Sequence, residues 1–83
     1  MDRETVFATL RDAAVEVLGV EADSIVETAN FKDDLDADSL DLVELVMALE
    51  ERLDISVPEE DLEGVETVGQ ALDLVVAKVA SGA

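Results

Sequence analysis

One serine stands apart chemically. In Asp34-Leu35-Asp36-Ala37-Asp38-Ser39-Leu40-Asp41 a single hydroxyl is ringed by carboxylates at the head of a helical pattern, in a chain with no histidine and no cysteine. A serine nucleophile needs an adjacent base to take its proton. Ser39 has none, so no catalytic residue is assigned and the chain is not expected to be an enzyme. The same hydroxyl is well placed to be modified by another protein. A serine at a helix start is more often a cap than a site, but with Asp38 as the N-cap the Ser39 hydroxyl is left free to point outward. A phosphodiester attached there would meet unpaired helix N–H groups and the helix dipole, worth roughly 0.3–1 kcal/mol. That offsets part of the repulsion from Asp36, Asp38 and Asp41.

The acid cluster also resembles the start of a calcium loop. Counted from Asp34, Asp36 and Asp38 fall at positions 3 and 5, but position 6 is Ser39 rather than glycine and position 12 is Leu45 rather than glutamate. No dedicated metal site is expected, only weak divalent association that relieves repulsion. Paired carboxylates for hydrolysis would need a cleft, which a small helical domain gives no sign of.

The elements that must position Ser39 follow from periodicity. Asp2 can cap a first helix over about 3–18, with Val6, Leu10, Ala13, Ala14, Val17 and Leu18 at helical spacing and Gly19 as its stop. Residues 19–38 form a long connection, with room for one turn at Ala22-Asp23-Ser24-Ile25 and with Ile25, Phe31 and Leu35 as apolar pins. Asp38 then caps a second helix that runs to about Leu53, with Asp41 at its third position. Leu42, Leu45, Val46, Leu49 and Leu53 fall on one arc, the core face. Leu40, Val43 and Met47 fall on the other, among Glu44, Glu50, Glu51 and Asp54. A purely scaffolding helix should be polar there. An apolar ridge fenced by acids reads instead as a small docking surface, although three exposed apolar residues alone are unremarkable.

Pro58 suits the start of a short third helix whose first turn carries Glu59, Glu60 and Asp61 and which ends at Gly64. Thr67-Val68-Gly69-Gln70 has the form of a capping box, opening a last helix through Leu72, Val75, Val76 and Val79, with Lys78 near its end and Ser81-Gly82-Ala83 expected to fray. The whole of 1–83 reads as one small domain.

Composition bounds the partners. Five basic against 22 acidic residues give a net charge of −17, which excludes ordinary binding to a phosphate backbone, and with only Phe7 and Phe31 there is little to stack on bases. Between Asp33 and Glu63 stand 13 acids and one base, Arg52, which leaves 12 of the 17 net negative charges in that stretch. Basic protein partners would be steered toward it over a Debye length of about 8 Å at physiological salt. An apolar fraction of 49%, arranged periodically, argues against disorder. No apolar run approaches the length of a membrane span and Met1-Asp2-Arg3-Glu4 does not open a signal peptide, so no membrane association is expected. The lack of cysteine fits a reducing compartment.

Asp38-Ser39-Leu40 at the head of an acidic helix, continued by Asp41-Leu42-Val43-Glu44-Leu45-Val46-Met47-Ala48-Leu49-Glu50-Glu51, resembles the acyl carrier proteins of dissociated (type II) fatty-acid synthesis. The likeness runs on through Ile55-Ser56-Val57-Pro58-Glu59-Glu60-Asp61 and Thr67-Val68-Gly69-Gln70-Ala71, and is strongest from Phe31 to Val75. It implies an all-α fold, a four-helix bundle with a long first loop and a short third helix. It also implies that Ser39 carries 4′-phosphopantetheine, transferred from coenzyme A by a phosphopantetheinyl transferase, and that the thiol of this arm holds acyl groups as thioesters. The partners implied are that transferase, ketosynthases, malonyl and acyl transferases and related enzymes with basic patches, met by a cytoplasmic monomer.

Residue by residue, the resemblance puts Asp38, Leu40, Asp41, Val43, Glu44, Met47, Glu50 and Glu51 at the docking face, in agreement with the ridge read from periodicity. It puts Phe31, Leu45, Leu49, Leu62, Val65, Ala71 and Val75 around the space that accepts an acyl chain, where they are equally core. Three positions depart from the usual pattern: Asp36 where many members carry glycine, Leu74 where tyrosine is common, and Arg52 within a usually acidic flank. Bulk fatty-acid synthesis is the expected pathway, with a specialised polyketide or lipid pathway as the alternative. From other classes, an unmodified acidic interaction module and a calcium sensor stand as rivals.

Overall fold

A computed structural model describes residues 2–81. Three α-helices carry the fold: α1 (Arg3–Leu18), α2 (Ser39–Leu53) and α3 (Val68–Ser81). The first connection holds a 3-10 turn at Ala22–Ser24, and the second holds one at Glu59–Leu62. Of the segment expected to fray, Ser81 is the last residue of α3, and Gly82 and Ala83 lie outside the described residues.

The helix boundaries follow from their caps. Asp2 Oδ1 accepts the Thr5 N–H at 2.8 Å and starts α1, and Gly19, at φ 69°, ends it in a left-handed conformation that costs glycine nothing. The α3 box is formed as expected: the Gln70 N–H donates to Thr67 Oγ1 at 3.2 Å while Gln70 Oε1 accepts from the Thr67 N–H at 3.0 Å.

The core lies where the three helices face one another. Val6, Leu10, Ala13 and Ala14 from α1, Leu42, Leu45, Val46 and Leu49 from α2, and Val68, Ala71, Leu72 and Val75 from α3 are all buried. Val17, Leu18, Leu53, Val76 and Val79 are only partly buried and pack at its margin. The long connection is pinned as the sequence predicts, with Ile25, Phe31 and Leu35 buried. It is also paired by backbone with the segment that leads into α3. The Phe31 N–H donates to Glu66 O at 2.9 Å, the Val68 N–H to Ala29 O at 2.9 Å and the Gly69 N–H to Glu27 O at 2.8 Å.

The expected short third helix is corrected to a 3-10 turn. Pro58 stands before it as the cap, in extended conformation, rather than inside a helix, and the bonds that follow are of the tighter kind: Asp61 N–H to Pro58 O, Glu63 N–H to Glu60 O and Val65 N–H to Leu62 O. Between Pro58 and Gly64, which sits at φ 85°, there are too few residues to propagate an α-helix once nucleated. Leu62 ends the turn buried, and Val65, beyond the left-handed Gly64, packs half-buried against the same core. The architecture remains the all-α bundle with a long first loop, its short third member being this turn.

Candidate functional site

A reciprocal pair of hydrogen bonds opens α2. The Asp41 N–H donates to Asp38 Oδ1 at 3.0 Å, and the Asp38 N–H donates to Asp41 Oδ2 at 3.4 Å. This capping box uses aspartate in both places, and its consequence falls on the residue between them. Ser39 is not needed as the cap. Its side chain is exposed, and its hydroxyl makes no hydrogen bond among the described residues. The N–H groups of Ser39 and Leu40, at the first two helical positions, also lack acceptors among the described residues. A free hydroxyl beside free N–H donors fits an attached phosphodiester: the hydroxyl supplies the ester oxygen and the donors face the anion.

The segment leading to Ser39 is fixed by Asn30. Its Oδ1 accepts the N–H groups of Lys32 and Asp33 at 2.9 and 3.0 Å, and its carbonyl accepts those of Asp34 and Leu35 at 2.8 and 3.1 Å. The chain then turns through Asp36 at φ 54°. That left-handed conformation accounts for aspartate serving where glycine is usual, since Asp is among the few side chains that tolerate it. The Ala37 N–H returns to Phe31 O at 2.7 Å, closing the loop immediately before the cap.

A cavity of about 660 Å³ opens beside Ser39. Of the residues expected to receive an acyl chain, Phe31, Leu62 and Val65 line it, whereas Leu45, Leu49, Ala71 and Val75 do not and are packed in the core. Ala37 and Leu42 line it too and were missed by sequence reasoning. Their spacing could have found them, because they stand two residues before and three residues after Ser39, on its side of the chain.

The outward face of α2 carries the expected ridge. Leu40 is 66% exposed and Met47 58%, values that make these two residues surface rather than core, and Val43 is half-buried between them. Ser39, Leu40, Leu42 and Val43 form one wall of a groove of about 560 Å³ whose other wall is Glu59, Glu60 and Leu62 of the second 3-10 turn with Glu63 after it. Glu44, Met47, Ala48, Glu50 and Glu51 line a shallower one further along. Asp38, Glu44 and Glu51 are exposed and Asp41 half-buried. Glu50 differs from them, because its Oε2 accepts the Val57 N–H at 2.9 Å and ties down the chain after α2. Glu59 and Glu60, read from the sequence only as partners of a helix dipole, and Glu63, which was given no role, thus lie beside the ridge. Arg52 turns away from the ridge to pair with Glu16 of α1, and Leu74 is half-buried against the core. Among the described residues no helix is long and apolar enough to cross a membrane.

The family model described as "Phosphopantetheine attachment site" matches residues 8–75. The acyl carrier protein of Saccharopolyspora erythraea is 45% identical over 80 residues, covering 96% of this chain and 84% of that one. Among solved structures, the acyl carrier protein from Enterococcus faecalis matches with a TM-score of 0.74 and 37% identity, covering 94% of this chain and 99% of that one. A match over most of the length in family, sequence and fold together settles descent: this chain belongs to the acyl carrier proteins, which bear a phosphopantetheine arm, work with synthase enzymes and a loading transferase, and are carriers rather than enzymes.

Proposed function

We propose that Ser39 is the residue that receives the 4′-phosphopantetheine arm, and that this single carrier domain, 1–83, serves fatty-acid synthesis as a cytoplasmic monomer. The observation that carries the assignment is the exposed, unbonded Ser39 hydroxyl beside a cap that Asp38 and Asp41 complete without it. Loading forms a bond from Ser39 Oγ to the phosphorus of coenzyme A that bears pantetheine, and 3′,5′-ADP leaves. The hydroxyl proton passes to a base of the transferase, because this chain has no histidine to take it. Once attached, the arm supplies a thiol that holds acyl groups as thioesters and delivers them at high effective concentration.

The docking partners are the phosphopantetheinyl transferase, ketosynthases and malonyl and acyl transferases, which present basic patches to Asp38, Leu40, Asp41, Val43, Glu44, Met47 and Glu51. The groove walled by Glu59, Glu60 and Glu63 extends that face. Exposed charges raise the on-rate while a narrow apolar ridge keeps release fast, as a shuttle requires. The acyl chain enters beside Phe31, Leu62 and Val65, and Leu45, Leu49, Ala71 and Val75 receive it only if the helices part. Burial there contributes about 0.8 kcal/mol per methylene at most. Incubation with coenzyme A and a phosphopantetheinyl transferase, followed by intact-mass analysis, is expected to add one phosphopantetheine to the wild type and none to Ser39→Ala. An unchanged wild-type mass, or a gain that survives the substitution, rejects the assignment.

A further inference from the structure

Five basic residues serve a chain with 22 acids, and four of them are already engaged. Arg3 bonds Glu27 and Asp73, Arg52 pairs with Glu16, Lys78 pairs with Asp61, and the Arg11 guanidinium lies 5.7 Å from the centre of the Phe7 ring. Lys32 has no ion pair among the described residues, although Asp33 and Asp34 follow it directly. Its place is nevertheless fixed. The Lys32 N–H is held by Asn30 Oδ1, and its neighbour Phe31 is buried, so the lysine between Phe31 and Asp33 is left on the exposed side of the loop. There it lines the same cavity as Asp38 and Ser39, and among the described residues it is the one cation in that lining.

We propose that Lys32 is the counter-ion of the phosphodiester joined to Ser39, holding the root of the arm at the cavity mouth. This rests on the Ser39 assignment. Loading sets a permanent negative charge among Asp36, Asp38 and Asp41, where the two free N–H groups of α2 offset only part of the repulsion. A lysine is a compact point charge on a flexible four-carbon stem. Lys32 can therefore follow the phosphate without a fixed geometry, and in doing so it turns the arm toward the wall formed by Phe31, Ala37 and Leu42. Lys32 acts as a positioning residue, since the group it holds is the diester and not the thioester.

The test compares apo and loaded protein for the wild type, Lys32→Gln and Lys32→Arg, with intact mass recording whether the arm is on. Thermal melts at about 10 mM and 500 mM NaCl follow. At low salt, loading is expected to lower the melting temperature of Lys32→Gln by about 2 °C more than that of the wild type, as an exposed ion pair in a domain of this size would give. Lys32→Arg is expected to restore the wild-type response, and high salt to close the gap. Failure of the wild type to gain mass would remove the Ser39 assignment itself. Loading at Ser39 with the same melting shift in wild type and Lys32→Gln, or a gap that arginine does not restore or salt does not close, would overturn the role of Lys32 alone.

Discussion

At Ser39 two demands on one position are separated between neighbours. A serine at a helix start ordinarily turns its oxygen back onto the first turn, and a hydroxyl so engaged is a poor acceptor of a phosphoryl group. Asp38 and Asp41 satisfy the turn between themselves, which leaves the intervening oxygen free, as the proposed attachment requires. Glu44 is exposed one turn further along, between Leu40 and Met47, and in the proposed docking it serves the approach rather than the attachment. Glu44→Lys is expected to lower kcat/KM with the transferase by about tenfold at low ionic strength, since it both removes an attraction and adds a repulsion at the rim of the interface. The melting temperature should hold or rise, because the change reduces an excess of negative charge. Initial rates measured across a salt series check this: a rate ratio near one at low salt would detach Glu44 from the docking face.

Among the elements, those held by side chains were legible in the sequence and those held by backbone were not. The bounds of α1 and α2 agree with the predicted ones because Asp2, Gly19 and Asp38 fix the ends in ways residue type announces. The pins Ile25, Phe31 and Leu35 were legible as large apolar residues in a polar loop, Ile25 being the buried one of its pair with the exposed Val26. The bridge between Asn30 and Thr67 left no such mark, because main-chain pairing over so short a length imposes no side-chain alternation. The turn at Glu59–Leu62 was misjudged because a proline followed by acids starts an α-helix and a 3-10 turn alike. The cavity was half legible: apolar residues at helical spacing mark a core, but which of them border open space depends on how the loop is laid over them. Gly69 shows what the unseen bridge requires. It stands inside α3, where alanine would ordinarily stabilise by up to about 1 kcal/mol. Here a Cβ would lie 3.0 Å from Glu27 O, the same carbonyl that accepts the Gly69 N–H at 2.8 Å. Moving away to relieve the contact lengthens the bond. Gly69→Ala is therefore expected to destabilise by about 1 kcal/mol, and a denaturant midpoint at or above that of the wild type would contradict it.

Over the molecule as a whole, charge and size meet on one length scale. The Cα radius of gyration is 11.3 Å and the longest extent 33 Å. A Debye length of about 30 Å at 0.01 M salt reaches across the whole protein, so every pair among the 22 acids repels; at 0.15 M it shrinks to about 8 Å and only near neighbours do. Salt also weakens the attractive pairs, but among the described residues these are few, and all but the half-buried Lys78 with Asp61 are exposed: Arg3 with Glu27 and Asp73, and Arg52 with Glu16. Such pairs contribute roughly 0–1 kcal/mol each, so the relief of repulsion outweighs their loss. The unfolded chain spreads the same charge over a larger volume and gains less from screening. The melting temperature is therefore expected to rise by several degrees between 0.01 and 0.15 M NaCl, where about 1 kcal/mol corresponds to 4–8 °C for a domain of this size. A calorimetric series in NaCl alone, without divalent ions, isolates screening from ion binding. A flat or falling series would mean that the few ion pairs, and not the crowding of residues 33–63, govern how this carrier responds to salt.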